Sequence, residues 1–176
     1  MKKAAIAVAA MGLMVALYVG TRRHAGDGKA VGAPNSAAAM APGLTMVDLG
    51  GNKIETASYR GKVVLINFWA AWCTPCAEEI PQFMAFQDKY RGQGFQAIGI
   101  SMEDQESALR KFYAKYQMNY PVVIGSQQIA QDYGGILGLP TSFLVGRNGR
   151  IHQKYAGVTD FARVEHDIVA LLQAGR

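Results

Sequence analysis

FWAAWCTPCAEEIP, residues 68–81, contains both cysteines of this 176-residue chain. The stretch follows Val63–Phe68, an apolar, β-branched run that is typical of a strand buried on both faces. After the cysteines, apolar residues recur at helical spacing as far as Tyr90, and Pro81 is predicted to kink that helix. The cysteine pair therefore lies where a buried strand ends and a helix begins. Functional sites in open α/β sheets form at the carboxyl ends of strands.

A helix N-terminus is expected to activate Cys73. Free backbone N–H groups and the helix dipole favour thiolate over thiol, and such pairs lower the pKa of the first cysteine to roughly 7 or below from about 8.5. Cys76, one turn later, is placed to attack a mixed disulfide on Cys73 and release the substrate. Thr74 and Pro75 lie between the two cysteines and are expected to tune the reduction potential of the pair. Pro75 suits the first helical turn, and the dipeptide has no His to stabilise the thiolate further, which favours a reductant over a strong oxidant.

Three other uses of the cysteine pair remain open. A structural zinc site needs four Cys or His ligands, and the sequence offers no second pair. Copper bound by both cysteines and a methionine is chemically reasonable. An inert disulfide would close a ring too small to constrain the unfolded chain much. We predict dithiol redox chemistry with no metal and no cofactor, and keep a non-catalytic copper- or protein-binding module as the alternative.

The positive charge of the chain is concentrated near its N-terminus. The formal net charge is +5. Residues 1–41 contain five Lys and Arg against one Asp, a net +4, whereas the remainder contains 13 Lys and Arg against 12 Asp and Glu, a net +1. Because the near-neutral remainder offers little for a phosphate-binding face, we predict no nucleic-acid partner. With about half of its residues apolar, a chain of this length is expected to form one domain.

The N-terminal 24 residues resemble an export signal. Lys2 and Lys3 precede an uncharged segment, Ala4–Gly20, which is followed by Arg22 and Arg23. The segment is at the short end of what spans a bilayer. The bulky and basic residues after it disfavour cleavage, so we expect a retained signal anchor and leave a cleaved signal peptide open.

The rest of the chain divides into a linker and a folded part. Residues 25–43 are rich in Ala and Gly and are predicted to be a flexible tether. Residues 44–176 form the predicted domain. Because the charges before the anchor favour a cytoplasmic N-terminus, the domain is expected outside the cytoplasm.

Alternating apolar runs and turns continue through the domain. They predict a central mixed sheet with helices on both faces, hence an α/β fold. The predicted strands are a hairpin within Leu44–Thr56, Phe95–Ser101, Pro121–Ile124, Thr141–Gly146 and Arg150–Tyr155, the last two joined by Asn148-Gly149. The predicted helices are Glu106–Tyr116, Ser126–Tyr133 and one capped by Asp160.

WCTPC after a buried strand resembles the active site of thioredoxins, and Leu139-Pro140-Thr141 resembles the cis-proline segment of that fold. The chain is more closely similar to the membrane-anchored TlpA/ResA-like branch over Leu44–Leu172. YRGKVVLINFWAAWCTPCAEEIP, YGGILGLPTSFLV and RNGRIHQKYAG carry that similarity. It implies a thioredoxin-like fold with an N-terminal hairpin and with the helix and strand that this branch inserts, here within Asp104–Ile124.

The resemblance also assigns roles to individual residues. Asn67 stands where thioredoxin has a buried Asp, whereas Glu79 stands where the ResA-like pattern has a Glu of comparable role. Glu79 is therefore a candidate proton shuttle for Cys76, although a helix-favouring acid near the dipole would look the same in sequence. Leu139, Pro140 and Thr141 are expected to contact an extended substrate peptide.

Two tryptophans flank the site. Trp72 is predicted to shield the cysteine pair and contact substrate, and Trp69 to belong to the core.

The implied activity is that of a thiol:disulfide oxidoreductase acting mainly as a reductant, on the periplasmic side of the bacterial inner membrane and tethered by the N-terminal segment. The resemblance implies substrate proteins bearing disulfides, such as apocytochrome c or copper-centre assembly factors, and a membrane thiol carrier of the CcdA or DsbD type as electron donor. We expect a monomer. Peroxiredoxins share this fold, but they surround a lone reactive cysteine with Pro and Thr at a different spacing, so peroxide reduction is a weaker alternative.

Overall fold

The computed structural model describes residues 39–102 and 105–174. The predicted anchor, residues 1–24, and most of the predicted tether, residues 25–43, lie outside these ranges. Within them, no helix combines the length and the apolar character needed to cross a membrane.

Five strands form the central sheet: β3, Val63–Trp69; β4, Phe95–Ser101; β5, Val122–Ile124; β6, Thr141–Val145; and β7, Ile151–Ala156. Their spatial order is β5-β4-β3-β6-β7. The strands β3, β4 and β5 are parallel to one another. On the other side of β3, β6 pairs with it antiparallel, and β7 pairs antiparallel with β6. Every side chain of β3 is buried, as its unbroken apolar sequence predicts for a central strand.

A separate antiparallel hairpin precedes the sheet, and four helices connect or follow its strands. The hairpin pairs β1, Thr45–Val47, with β2, Lys53–Glu55. The helices are α1, Thr74–Tyr90; α2, Glu106–Tyr116; α3, Gln127–Asp132; and α4, Phe161–Gln173.

The two faces of the sheet bury different partners. Apolar residues of α1, α2 and α4 pack against alternate residues of β3, among them Leu65 and Trp69. On the other face, Ile66 and Phe68 pack with the hairpin and with the end of α3. Alternation of side chains along a strand produces this division. The predicted mixed sheet with helices on both faces is confirmed, with a thioredoxin-like strand order.

Local signals in the sequence account for the element ends. The side chain of Asp160 accepts a hydrogen bond from the Arg163 N–H and caps α4, as predicted. The turn between β6 and β7 contains Gly149 at φ 75°, a left-handed conformation that glycine adopts without strain. The predicted helix and strand within residues 104–124 are α2 and β5, and β5 forms one edge of the sheet.

Candidate active site

Cys73 and Cys76 form a disulfide at the start of α1. Cys73 is the N-cap residue, and its Sγ accepts a hydrogen bond from the backbone N–H of Cys76 at 3.3 Å. Pro75 occupies the first turn, where its missing N–H leaves no acceptor unsatisfied. Both sulfurs belong to side chains that are almost fully buried. The predicted placement of the pair at a helix N-terminus is therefore confirmed, and the backbone N–H of Cys76 is oriented to stabilise a thiolate on Cys73.

Glu79 is buried one helical turn after Cys76, with 2% of its surface exposed. Residues three apart lie on the same side of a helix, so its carboxyl faces the core as Cys76 does. The backbone N–H of Thr159 donates a hydrogen bond to Oε1 at 2.7 Å. Burial raises the pKa of Glu79, and the hydrogen bonds from Thr159 offset part of that rise. A carboxyl with a raised pKa in this position is able to accept and return a proton.

Three buried polar atoms on this face have no hydrogen-bond partner among the described residues. They are Oε2 of Glu79, the hydroxyl of Tyr120 and the indole Nε1 of Trp69. Burial raises the pKa of Tyr120 above its ordinary range, and the Glu79 carboxyl is close enough to raise it further. The carboxyl therefore lies in a partly polar environment inside an apolar core.

A cis peptide bond joins Leu139 and Pro140. Pro140 and Thr141 are buried and Leu139 is half-buried. The carbonyl of Pro140 accepts a hydrogen bond from the N–H of Gly157 at 2.9 Å, which links this segment to the loop that contains Thr159. The loop that holds the Glu79 carboxyl is thus tied to the segment predicted to contact substrate.

Exposed apolar side chains occur in the segments around the disulfide. Trp72, directly before Cys73, is 68% exposed, and Leu137 and Val158 are also exposed. Trp69 is fully buried and packs against Phe112 with 5.0 Å between ring centroids. Trp69 therefore belongs to the core, as predicted. Trp72 leaves most of its indole free for contact with another molecule.

Asn67 is buried in the middle of β3. Its Nδ2 donates to Oγ of Ser142 at 3.0 Å. Asn67 and Ser142 thus give each other a hydrogen-bond partner, and neither side chain is charged. At this position the core contains an amide and not a carboxylate in addition to that of Glu79.

Sequence reasoning missed two contributors to the environment of Glu79. Thr159 is 80 positions away in the chain, and only the folded path brings its amide to the carboxyl. Tyr120 was assigned no role. Neither residue belongs to a motif, so no local signal identifies them. In the part of the chain that the structure describes, no group of three or more His, Cys, Asp or Glu residues could hold a metal ion.

The geometry is that of a redox-active dithiol on a thioredoxin-like scaffold, and comparisons with known proteins agree. The model of the AhpC/TSA family matches residues 37–154. Thiol-disulfide oxidoreductase ResA of Bacillus thuringiensis subsp. konkukian is 36% identical over 118 residues, which cover 66% of this chain and 68% of that protein. ResA of Bacillus subtilis is 32% identical over 136 residues, which cover 77% of this chain and 75% of that protein.

Comparison with solved structures supports the same fold and the same class of enzyme. A thiol:disulfide interchange protein of the thioredoxin family from Chlorobium tepidum TLS superposes with a TM-score of 0.73 at 27% identity, covering 78% of this chain and 99% of that one. Fold and site therefore define a thiol-disulfide oxidoreductase. The chain belongs to the AhpC/TSA family and, within it, to the TlpA/ResA-like proteins.

Proposed function

We propose that the enzyme acts on the periplasmic side of the bacterial inner membrane, tethered by its N-terminal segment, and that it reduces disulfides in substrate proteins. Apocytochrome c and copper-centre assembly factors are the substrate classes that the family resemblance favours. A membrane thiol carrier of the CcdA or DsbD type supplies the electrons. The enzyme works as a monomer.

The buried carboxyl of Glu79 is the observation that carries this proposal. In the reduced enzyme, the Cys73 thiolate attacks a substrate disulfide, forms a mixed disulfide and releases one substrate sulfur as a thiolate. Cys76 then gives its proton to Glu79 and attacks Sγ of Cys73. The second substrate sulfur leaves as a thiolate. The substrate has then gained two electrons, and the enzyme has lost them and contains the Cys73–Cys76 disulfide. A dithiol donor then reduces the enzyme again.

The surroundings of Cys73 support the proposed direction of the reaction. An oxidant of high potential is one whose reduced form is strongly stabilised. Here the dipeptide between the cysteines, Thr74-Pro75, brings no positive charge to the thiolate. The helix N-terminus, including the Cys76 amide, stabilises the thiolate, but no cation in the dipeptide adds to that stabilisation. The reduced form is therefore less stabilised than in a strong oxidant, which favours a more reducing pair.

The test measures both catalysis and potential. The reduced full chain is expected to reduce insulin disulfides, and Cys73→Ser to abolish that activity. Equilibration with a thiol buffer of known potential is expected to give a value closer to about −270 mV than to about −120 mV, the values of a reductant and a strong oxidant of this fold. A potential near the second value would contradict the reductant role. Stoichiometric Cu(I) binding without reductase activity would instead identify a binding module.

Substrate identity is tested with Cys76→Ser. This variant keeps the attacking Cys73 but cannot resolve the mixed disulfide, so it is expected to trap its substrates covalently in periplasmic extracts. Recovery of apocytochrome c or a copper-centre assembly factor supports the proposal. Recovery of neither, with abundant trapping of unrelated proteins, contradicts it.

A further inference from the structure

The net charge of +1 on residues 42–176 is unevenly distributed. Three segments at the end of the domain away from the disulfide, residues 56–62, 91–94 and 146–152, contain no Asp or Glu. They contribute four basic side chains that are exposed or half-exposed, and we call these four the basic end: Arg60, Lys62, Arg91 and Arg150.

Strand pairing and side-chain contacts bring the three segments together. β6 ends beside the start of β3, because the two strands are antiparallel. Arg147, which follows β6, donates to the carbonyl oxygen of Gly61 at 2.6 Å and to that of Gln93 at 3.1 Å. Arg60 donates to the carbonyl oxygen of Asn148. Because the disulfide follows the other end of β3, the basic end and the disulfide lie at opposite ends of the sheet.

Neighbouring groups in the domain neutralise little of this positive charge. Arg147 also donates to a carbonyl oxygen in the last turn of α4 at 3.3 Å. It therefore compensates a helix C-terminus and is not counted in the basic end. Arg91 forms an ion pair with Asp88 at 3.9 Å, and both side chains are exposed, so the pair is weak. Arg60 and Lys62 form no ion pair with a carboxylate in the part of the chain that the structure describes.

The N-terminal segment joins the domain at this same end. The carbonyl oxygen of Ala39 accepts a hydrogen bond from the N–H of Ile151, and the N–H of Ala41 donates to the carbonyl oxygen of Gly149, both at 2.9 Å. A coil of residues 21–38 would span on the order of 25 Å. The proposed anchor would therefore keep the basic end within about that distance of the bilayer.

We propose that the basic end binds a bilayer surface that contains anionic lipids. This inference rests on the proposed membrane tether. Lipid phosphate groups accept charge-assisted hydrogen bonds from Arg and Lys, and each basic residue near an anionic bilayer raises the binding constant about fivefold. The tether holds the domain at an effective concentration on the order of millimolar. Contacts that are too weak to bind a free domain are therefore sufficient for a tethered one.

The bound orientation directs the disulfide away from the membrane. β3 has seven residues, and at about 3.3 Å per residue it separates the two ends by roughly 20 Å. Glu78 and Asp160, exposed in the segments around the disulfide, are repelled by anionic lipid. The docked domain therefore presents Cys73 to substrate proteins in solution, and it has to leave the surface before it meets a dithiol donor within the membrane.

Two pairs of exposed cations provide matched variants. Arg60→Gln combined with Lys62→Gln removes two charges from the basic end. Lys111→Gln combined with Lys115→Gln removes two charges from α2. All four side chains are exposed, so both double variants are expected to fold and to react with a small dithiol at the parent rate.

The test uses the oxidised full chain in lipid nanodiscs in which a small share of the lipid has a nitroxide on its headgroup. With phosphatidylglycerol in the disc, the amide signals of Gly61 and Gly149 are expected to broaden more than the indole N–H signal of Trp72. Discs of phosphatidylcholine alone, or salt at about 0.5 M, where the screening length is roughly 4 Å, are expected to abolish this difference.

The two double variants are compared by their docking constants, measured from the broadening as the share of phosphatidylglycerol rises. The basic-end variant is expected to lower the constant about 25-fold, two factors of about five, and the α2 variant to leave it nearly unchanged. Equal broadening of both ends in both kinds of disc, or equal constants for the two variants, overturns the inference. If the basic-end variant changes only KM for an acidic protein substrate, the surface binds protein and the lipid assignment is wrong.

Flotation with vesicles separates this inference from the proposed function. The full chain is expected to float with neutral vesicles through its N-terminal segment alone. Flotation without selective broadening means that the tether stands and docking fails. If the chain does not float with neutral vesicles, the tether fails. Flotation with anionic vesicles that only the basic-end variant loses would then still support the surface, and no flotation with either kind would overturn both proposals.

Discussion

The two faces of the central sheet contain different kinds of buried side chain. The face under α1, α2 and α4 combines apolar packing with the disulfide, the Glu79 carboxyl and the polar atoms of Trp69 and Tyr120. The face under the hairpin and α3 is built from aliphatic and aromatic side chains, and Tyr133 is its buried tyrosine without a hydroxyl partner among the described residues.

The difference shows how this fold separates stability from chemistry. A single buried hydroxyl lowers the free energy of unfolding slightly, and the ring contacts of an aromatic cluster offset that loss. A carboxyl buried one helical turn after Cys76 is a larger cost, and proteins keep such groups where their shifted proton affinity is used. Substitutions on the first face should therefore change the reaction, and equivalent substitutions elsewhere should not.

Replacing Glu79 gives the largest expected effect. Glu79→Gln keeps the shape of the side chain but removes the proton acceptor. We expect resolution of the mixed disulfide to slow on the order of 100-fold, as for loss of a general base, and the pH dependence on the acidic side to disappear. Rapid-mixing kinetics with a peptide disulfide measure both quantities.

The neighbouring Glu78 provides the control. It is exposed on the other side of the same helix, so Glu78→Gln changes the helix charge equally without touching the core. Equal rates for the two variants would mean that the charge near the helix N-terminus matters and the buried position does not.

Truncating Trp72 is expected to have an intermediate effect. Trp72→Ala removes exposed apolar surface next to Cys73, so KM for a protein substrate should rise roughly tenfold, equivalent to about 1.4 kcal/mol of lost contact. Reaction with a small dithiol should be unchanged because it does not need that surface.

Val47→Ala removes an exposed apolar side chain from the hairpin and should change neither value. An increase in KM for both variants would show that exposed apolar surface in general binds the substrate.

Much of this arrangement could be predicted from the sequence. The buried strand, the cysteine pair opening α1 and the capped α4 follow from local pattern, since strand burial, helix spacing and capping each depend on nearby residues. Glu79 was identified through the family resemblance, and its spacing from Cys76 predicts the face on which it lies.

The rest depends on contacts between distant segments. Thr159 reaches the Glu79 carboxyl only because the loop before α4 lies next to α1 in the fold. Trp69 and Tyr120 likewise meet next to Gly99 only because β3, β4 and β5 pair. No motif includes Tyr120 or Tyr133, and the chain path alone decides that the first packs on the face that contains the disulfide and the second on the opposite face.

The pH dependence of stability gives the smallest effect and tests the two faces thermodynamically. The pKa of Glu79 is raised by burial in the folded chain, whereas an unfolded Glu titrates near 4.3. Between these values the native state binds more protons than the unfolded state, so stability is full below the unfolded pKa and falls as pH rises through the folded one.

Glu79→Gln removes this loss. The melting temperature of Glu79→Gln relative to the parent should therefore rise from pH 4 upward and then level off, with roughly 2–4 °C for each kcal/mol in a chain of this size. Glu78→Gln should show no such rise, because its side chain is exposed in the folded chain. A parallel course for the two variants would mean that burial of Glu79 costs nothing when it ionises, and the contrast between a chemical and a purely structural face would be lost.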